Sequence, residues 1–266
     1  MNTKEFLKFL SDGTSISAYE YKMKDTLVHA FDEYVDENKI DNLGNVIGLK
    51  KGRNNSSNLK IMLAAHMDEI GLMVKYIEDN GFIRFTNIGG IDPRTILGQE
   101  VIVHGKKDLF GVIVSKPPHL QEATEINKAI KMEDMVIDLG YSKEELEGII
   151  SIGDPIIIKR ELKSLQGNRV VGKSLDNKAG IVAMYECAKI LKSMEHELDV
   201  YYVSTVQEEV GTRGAFTSTY KINPNIGIAI DVGFGSTPEL PKYDTLDMGN
   251  GPGITIGGNI HPGLRE

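Results

Sequence analysis

Three short apolar runs each end in residues able to bind a metal ion or move a proton. Residues 61–65 run into His66-Met67-Asp68-Glu69, residues 199–205 lead to Gln207-Glu208-Glu209, and residues 226–230 end in Asp231. A fourth acid, Asp176, stands in a loop just ahead of an apolar helical stretch. Open α/β sheets gather ligand sites beyond the carboxyl ends of their strands. Three such ends and a loop aspartate therefore suggest side chains converging on one site. One imidazole with several carboxylates suits zinc, cobalt or manganese, and not a thiolate-seeking metal. The carboxylates outnumber what one ion needs, which leaves room for a second ion and a shared, bridging carboxylate. Paired ions can lower the pKa of a water between them and clamp a developing tetrahedral oxyanion.

The local spacings have their own chemical sense. A metal-bound histidine usually donates its free ring N–H to a carboxylate or carbonyl, which fixes its tautomer. Asp68, two residues after His66, is a candidate for that place. Adjacent residues in extended chain point opposite ways, yet a bend at a strand end can turn both Glu208 and Glu209 into one cavity. One carboxylate can then bind metal while the other takes a proton from water. Each residue also has a blander reading. A lone histidine is usually structural, paired glutamates after a strand usually face solvent, Asp176 is well suited to capping the next helix, and Asp231 to opening a turn with Gly233. Together, and in this order, the four segments outweigh those readings.

Elements must exist to hold these residues. An apolar spacing predicts a short helix over 3–11. Ser17 and Glu20 have the spacing of a capping box, with a helix to follow as far as about residue 37. Residues 42–45 read as a turn and 46–50 as a strand. The run at 61–65 suits a strand buried on both faces. Residues 72–77 and 82–88 flank Asp79-Asn80-Gly81, a hairpin signal. Further strands are expected at 101–104, 111–115 and 156–159, with helical hints at 128–132 and a second capping box at Ser142 and Glu145. A helix from about 174 to 193 and strands at 199–205 and 226–230 complete an α/β pattern. Residues 73–164 read as a β-rich module inserted in it.

Composition excludes some classes. The 266 residues are 41% hydrophobic and 26% charged, which is ordinary for a folded domain with a substantial core. The net charge of -8 argues against nucleic acid as a partner, because nucleic-acid binders carry a basic footprint. The start carries Lys4 and Lys8 without a long apolar run and does not read as a signal peptide. No stretch approaches the ~20 apolar residues that span a bilayer. The single cysteine, Cys187, allows no intrachain disulfide and reads as a core thiol. A reducing cytoplasm is the expected home, with no membrane partner.

At four places the text resembles the M42 family of glutamyl and tetrahedral aminopeptidases: Ala65-His66-Met67-Asp68-Glu69-Ile70-Gly71, Leu175-Asp176-Asn177-Lys178-Ala179-Gly180, Gln207-Glu208-Glu209-Val210-Gly211 and Asp231-Val232-Gly233. The resemblance implies an α/β fold with a mixed-sheet zinc-peptidase (phosphorylase/hydrolase-like) catalytic domain, residues 1–72 and 165–266, and an inserted β-rich dimerisation domain, 73–164. It implies that His66 binds one metal with Asp68 behind it, and that Asp176 bridges two metals. Glu208 would be the general base, Glu209 a ligand of the second metal and Asp231 of the first. The cofactors implied are two divalent ions, zinc or cobalt, with manganese also fitting. The implied activity is removal of N-terminal residues from peptide substrates, by a homo-oligomer built as dimers or tetrahedral dodecamers. His261 does not match the family's last ligand motif, so the chain is expected to be C-terminally truncated, with Asp176 and Glu209 alone at the second metal.

Three other functions compete. An M20-like amidohydrolase shares the His-x-Asp and Glu-Glu logic, but the Asp68-Glu69-Ile70-Gly71 continuation favours the aminopeptidase. An assembly subunit without a complete site is a second alternative. A glycoside hydrolase is disfavoured, because the chain has no tryptophan to stack on sugars and its carboxylates come with a metal-type histidine.

Overall fold

A computed structural model describes residues 2–53, 58–120 and 128–264. The chain opens with α1 (Thr3–Asp12), capped by a reciprocal pair between Asn2 and Glu5. Next comes α2 (Tyr21–Phe31), whose buried face carries Met23, Leu27 and Phe31. This helix is shorter than its apolar spacing predicts, because residues 37–40 leave it to form β1 (Glu37–Ile40) against β2 (Val46–Lys50). The expected Ser17–Glu20 capping box does not form: the start of α2 has no side-chain cap. Tertiary partners claim both residues instead. Ser17 donates to Asp68, and Glu20 accepts from the Gln207 amide. The chain then enters β3 (Lys60–His66).

Six strands close into a barrel: β4 (Gly71–Ile77), β5 (Ile83–Ile88), β6 (Glu100–His104), β7 (Asp108–Ser115), β8 (Met135–Asp138) and β9 (Pro155–Ile158), in the order β4-β5-β8-β7-β6-β9. Alternate residues point inward, and Leu72, Val74, Ile83, Val101, Val103, Ile113, Ile137 and Ile156 are fully buried there. Two single-turn helices, α3 (Pro93–Ile96) and α4 (Lys143–Leu146), plug the barrel with Ile96 and Leu146. The capping box expected at Ser142 and Glu145 is present at the start of α4. The helical hints at 128–132 are not realised. One 3-10 turn at Met132–Asp134 precedes β8, whose Met135 and Ile137 alternate into the barrel core, so sheet packing outweighs weak local propensity.

A small antiparallel pair, β10 (Lys163–Ser164) and β11 (Val170–Val171), leads to α5 (Leu175–Leu191), β12 (Asp199–Thr205), α6 (Arg213–Ile222) and β13 (Ile226–Ala229). The main sheet has the order β1-β2-β12-β3-β13. β12 and β13 run parallel to β3, whereas β2 is antiparallel to β12. On one face Leu63, Ala65, Val200 and Tyr202 pack against α1, α2 and α5, where Phe6 and Phe31 meet the ring of Tyr185 at 4.3 and 5.9 Å. On the other, Met62 and Val203 meet Ile222 of α6. No helix among the described residues is long and apolar enough to cross a membrane.

Candidate active site

Three parallel strands deliver the chemistry. The end of β3 places His66 level with Thr205, the last residue of β12, and the chain beyond β13 reaches Asp231. His66 is almost fully buried. Its Nδ1 lies 3.1 Å from the Asp68 carbonyl oxygen and 3.5 Å from the Asp68 carboxylate. That leaves Nε2 facing outward, 2.9 Å from Oδ1 of Asp176 and 4.0 Å from Oε2 of Glu208. Asp68 spends most of its accepting capacity elsewhere. It takes the Ser17 hydroxyl at 2.6 Å and the backbone N–H groups of Glu208 and Glu209 at 2.9 and 3.1 Å.

All six residues singled out in the sequence meet here. His66, Asp176 and Asp231 bring ligand atoms within 4.8 Å of one another, and so do His66, Glu208 and Glu209. The second group pairs Glu209 with Glu208, where the resemblance would pair it with Asp176. His261 belongs to neither group and is exposed.

Asp176 owes its place to its neighbour. The Asp176–Asn177 peptide is cis, and Asn177 is buried. Its side chain donates to the Ile230 carbonyl at 2.8 Å and accepts from the Gly180 N–H at 3.1 Å. One amide thus ties the Asp176 loop to the residue before Asp231. Gly180 makes the approach possible, since a Cβ there would lie 2.4 Å from Asn177 Oδ1 and 3.0 Å from both Ala65 Cβ and the Ile230 oxygen. Behind the site, Lys178 is completely buried, and its ammonium donates to Ser15 Oγ and the Met67 carbonyl. Burial pushes it down to about 8, against the pull of the Glu69 charge. Lys173 pairs with Glu69 at 2.7 Å beside it. Sequence reasoning assigned neither lysine a place, and gave Ser17 only that of a helix cap. Only a lysine at the head of an apolar helix hinted at Lys178.

The electrostatics are those of a crowded acidic pocket. Burial, reinforced by the charge of Asp176, pushes the Glu209 carboxyl up to about 7. Burial also raises Asp231. Burial opposes charge on His66, but hydrogen bonds to Asp176 and Asp68 outweigh it and push the imidazole up to about 10. Burial likewise opposes ionisation of Asp68, yet bonds from His66, Ser17 and the Glu208 amide hold it below the usual carboxylate range. A pocket that crowds carboxylates until their ionisation is resisted favours added positive charge. Its donors, one imidazole and oxygens without a thiolate, fit zinc, cobalt or manganese.

An α/β scaffold that gathers an imidazole and several carboxylates at the ends of its parallel strands has the layout of a hydrolase centre. Residues 44–266 match the sequence profile of the M42 glutamyl aminopeptidase family. The chain is 38% identical over 267 residues to the lysyl aminopeptidase of Pyrococcus furiosus, covering 98% of this chain and 75% of that one. Its fold is similar to that of an aminopeptidase from the archaeon Desulfurococcus kamchatkensis, with a TM-score of 0.87 and 41% identity over 94% of this chain and 69% of that chain. It is also similar to a TET peptidase from Pyrococcus horikoshii that can assemble into a tetrahedron or a large octahedral shell, with a TM-score of 0.79 and 35% identity over 89% and 71% of the two chains. The chain belongs to the M42 glutamyl aminopeptidase family, and its enzyme class is aminopeptidase.

Proposed function

We propose that the chain is a metal-dependent aminopeptidase in which His66, Asp176, Asp231 and Glu209 hold divalent metal and Glu208 is the general base. The observation that carries this reading is the convergence of two ligand groups on the one outward nitrogen of His66. His66, Asp176 and Asp231 would hold one ion, and Glu209 together with Asp176 would hold a second. Zinc or cobalt suits these donors best, and manganese also fits. When bound, such ions supply Lewis acidity, lowering the pKa of a water and polarising the peptide carbonyl.

The protein's own groups do the rest. Glu208, half-exposed beside His66, faces the pocket. It takes a proton from the attacking water and returns it to the amine that leaves. Asp68 fixes His66 through Nδ1 and aims the Glu208 and Glu209 backbone. The acidic lining attracts the free amino terminus of a peptide. Replacing Glu208 by Gln is expected to lower kcat by about a hundredfold or more while zinc content stays at the parent level. Parent-like turnover in that variant would remove Glu208 from this role. A panel of aminoacyl anilides against N-acyl amino acids separates the aminopeptidase from an M20-like deacylase, and turnover of the anilides alone is expected.

The scaffold is read as a mixed-sheet zinc-peptidase domain made of residues 1–72 and 165–266. The unit at 73–164, which holds the closed barrel apart from Gly71 and Leu72 at the start of β4, is read as an inserted dimerisation domain. The assembling TET relative supports a homo-oligomer. A single cysteine accords with work in a reducing cytoplasm.

A further inference from the structure

We propose that Glu20 and Ser17, with Asn45, are positioning residues that hold the turn carrying Glu208 and Glu209. This rests on the reading of those two glutamates as base and ligand. β12 ends at Thr205, and each of the next four backbone amides is taken by a side chain. Val206 N–H donates to Asn45 Oδ1 at 3.0 Å, and Gln207 N–H to Glu20 Oε1 at 3.1 Å. Glu208 and Glu209 N–H donate to the two oxygens of Asp68. The acceptors come from three separate segments of the chain. Asn45, Asp68 and Glu20 are all buried, as is Ser17, whose hydroxyl binds the same Asp68 oxygen as Glu209.

The cradle has a physical reason to exist. Gln207 sits at φ +55°, in the left-handed region, which is unfavourable for a non-glycine residue and persists only where surroundings over-determine it. That turn sends Glu208 and Glu209 to the same side, toward His66. Acceptors at every amide define its geometry. Glu20 also takes the Ala18 N–H at 3.0 Å with the same oxygen, so it locks the 17–20 segment to the active-site turn. Asn45 is itself held by Asp41 at 2.8 Å and Thr217 at 3.2 Å. None of Ser17, Glu20 or Asn45 belongs to either ligand group: Glu20 and Asn45 act through the backbone of the turn, and Ser17 through the Asp68 carboxylate. Glu20 uses one oxygen as an acceptor, and an amide oxygen can do the same.

The test compares the parent with Glu20→Ala, Glu20→Gln and Ser17→Ala by three readouts: hydrogen exchange of peptides spanning residues 203–212, zinc affinity by calorimetry, and kcat and KM on an aminoacyl anilide. Glu20→Ala is expected to speed exchange in that segment about tenfold, weaken zinc binding, and lower kcat about tenfold with KM nearly unchanged. Glu20→Gln is expected to stay within about twofold of the parent in all three. A folded Glu20→Ala with parental exchange and kcat overturns the proposal, and so does a Gln variant as impaired as the Ala variant. If Glu20→Ala fails to fold, Ser17→Ala, which deletes one hydroxyl, is decisive in its place: faster exchange across 206–209 supports the cradle and unchanged exchange overturns it. Hydrogen exchange needs no metal and no turnover. An inert parent, or an active Glu208→Gln, would therefore count against the function proposed above and leave this test readable.

Discussion

Asp68 accepts from a serine hydroxyl and two backbone amides, and flanks His66 as well. One carboxylate therefore sets both the imidazole and the turn that carries two glutamates. Asp68→Asn would place an NH₂ group where one oxygen accepts an N–H, so at least one of those bonds becomes a clash of donors. The expected outcome is a kcat loss of about a hundredfold, with zinc affinity reduced as well, measured by anilide turnover and calorimetry. Parental values for both would show that Asp68 has no such control. At this scale the clustering of the candidate residues was legible in the sequence, because His66, Glu208, Glu209 and Asp231 are chemically conspicuous types at strand ends and Asp176 stands at the head of a helix. Ser17 and Glu20 were misread. Their spacing fits a local cap, and only the folded chain brings them to Asp68 and Gln207, 51 and 187 residues away.

Among the elements, the head of α5 is the most constrained. Asn177 links the Asp176 loop to Ile230, and Gly180 lets α5 approach β3 and the end of β13 closely enough for that link. Gly180→Ala places a methyl group against Asn177, Ala65 and Ile230. It is expected to cost about 1–3 kcal/mol in urea unfolding and to weaken zinc binding, because Asp176 and Asp231 must separate to admit it. Unchanged affinity would mean that the loop and the strand end are set independently. The parallel strands were legible from their apolar runs, and the β4–β5 hairpin from Asn80-Gly81. β8 and α6 were not. Residues 132–138 carry no strong periodicity until barrel neighbours select one face, and Thr212, just ahead of α6, makes no side-chain cap to announce it.

Three hydrophobic clusters build the described molecule. One lies between the mixed sheet and α1, α2 and α5, a second fills the barrel, and a small third lies between the other face of the sheet and α6. Leu27→Ala in the first and Ile113→Ala in the second are each expected to cost about 2–5 kcal/mol, because both side chains are fully buried. Ile113→Ala is expected to leave zinc affinity unchanged, since no site residue packs in the barrel core. Altered zinc affinity in that variant would show that the barrel helps to shape the centre. The strands of the barrel were visible in the sequence as a change of pattern after Gly71. Closure of its strands into a barrel was not, because it depends on the pairing of β9 with both β4 and β6.

The most direct measurement is the zinc content of the folded protein after metal loading and removal of excess, with Asp176→Ala alongside. About two ions per chain are expected for the parent, falling sharply in the variant while its circular dichroism is unchanged. A folded parent that retains no more zinc than Asp176→Ala would contradict a metal centre built on His66, Asp176, Asp231 and Glu209.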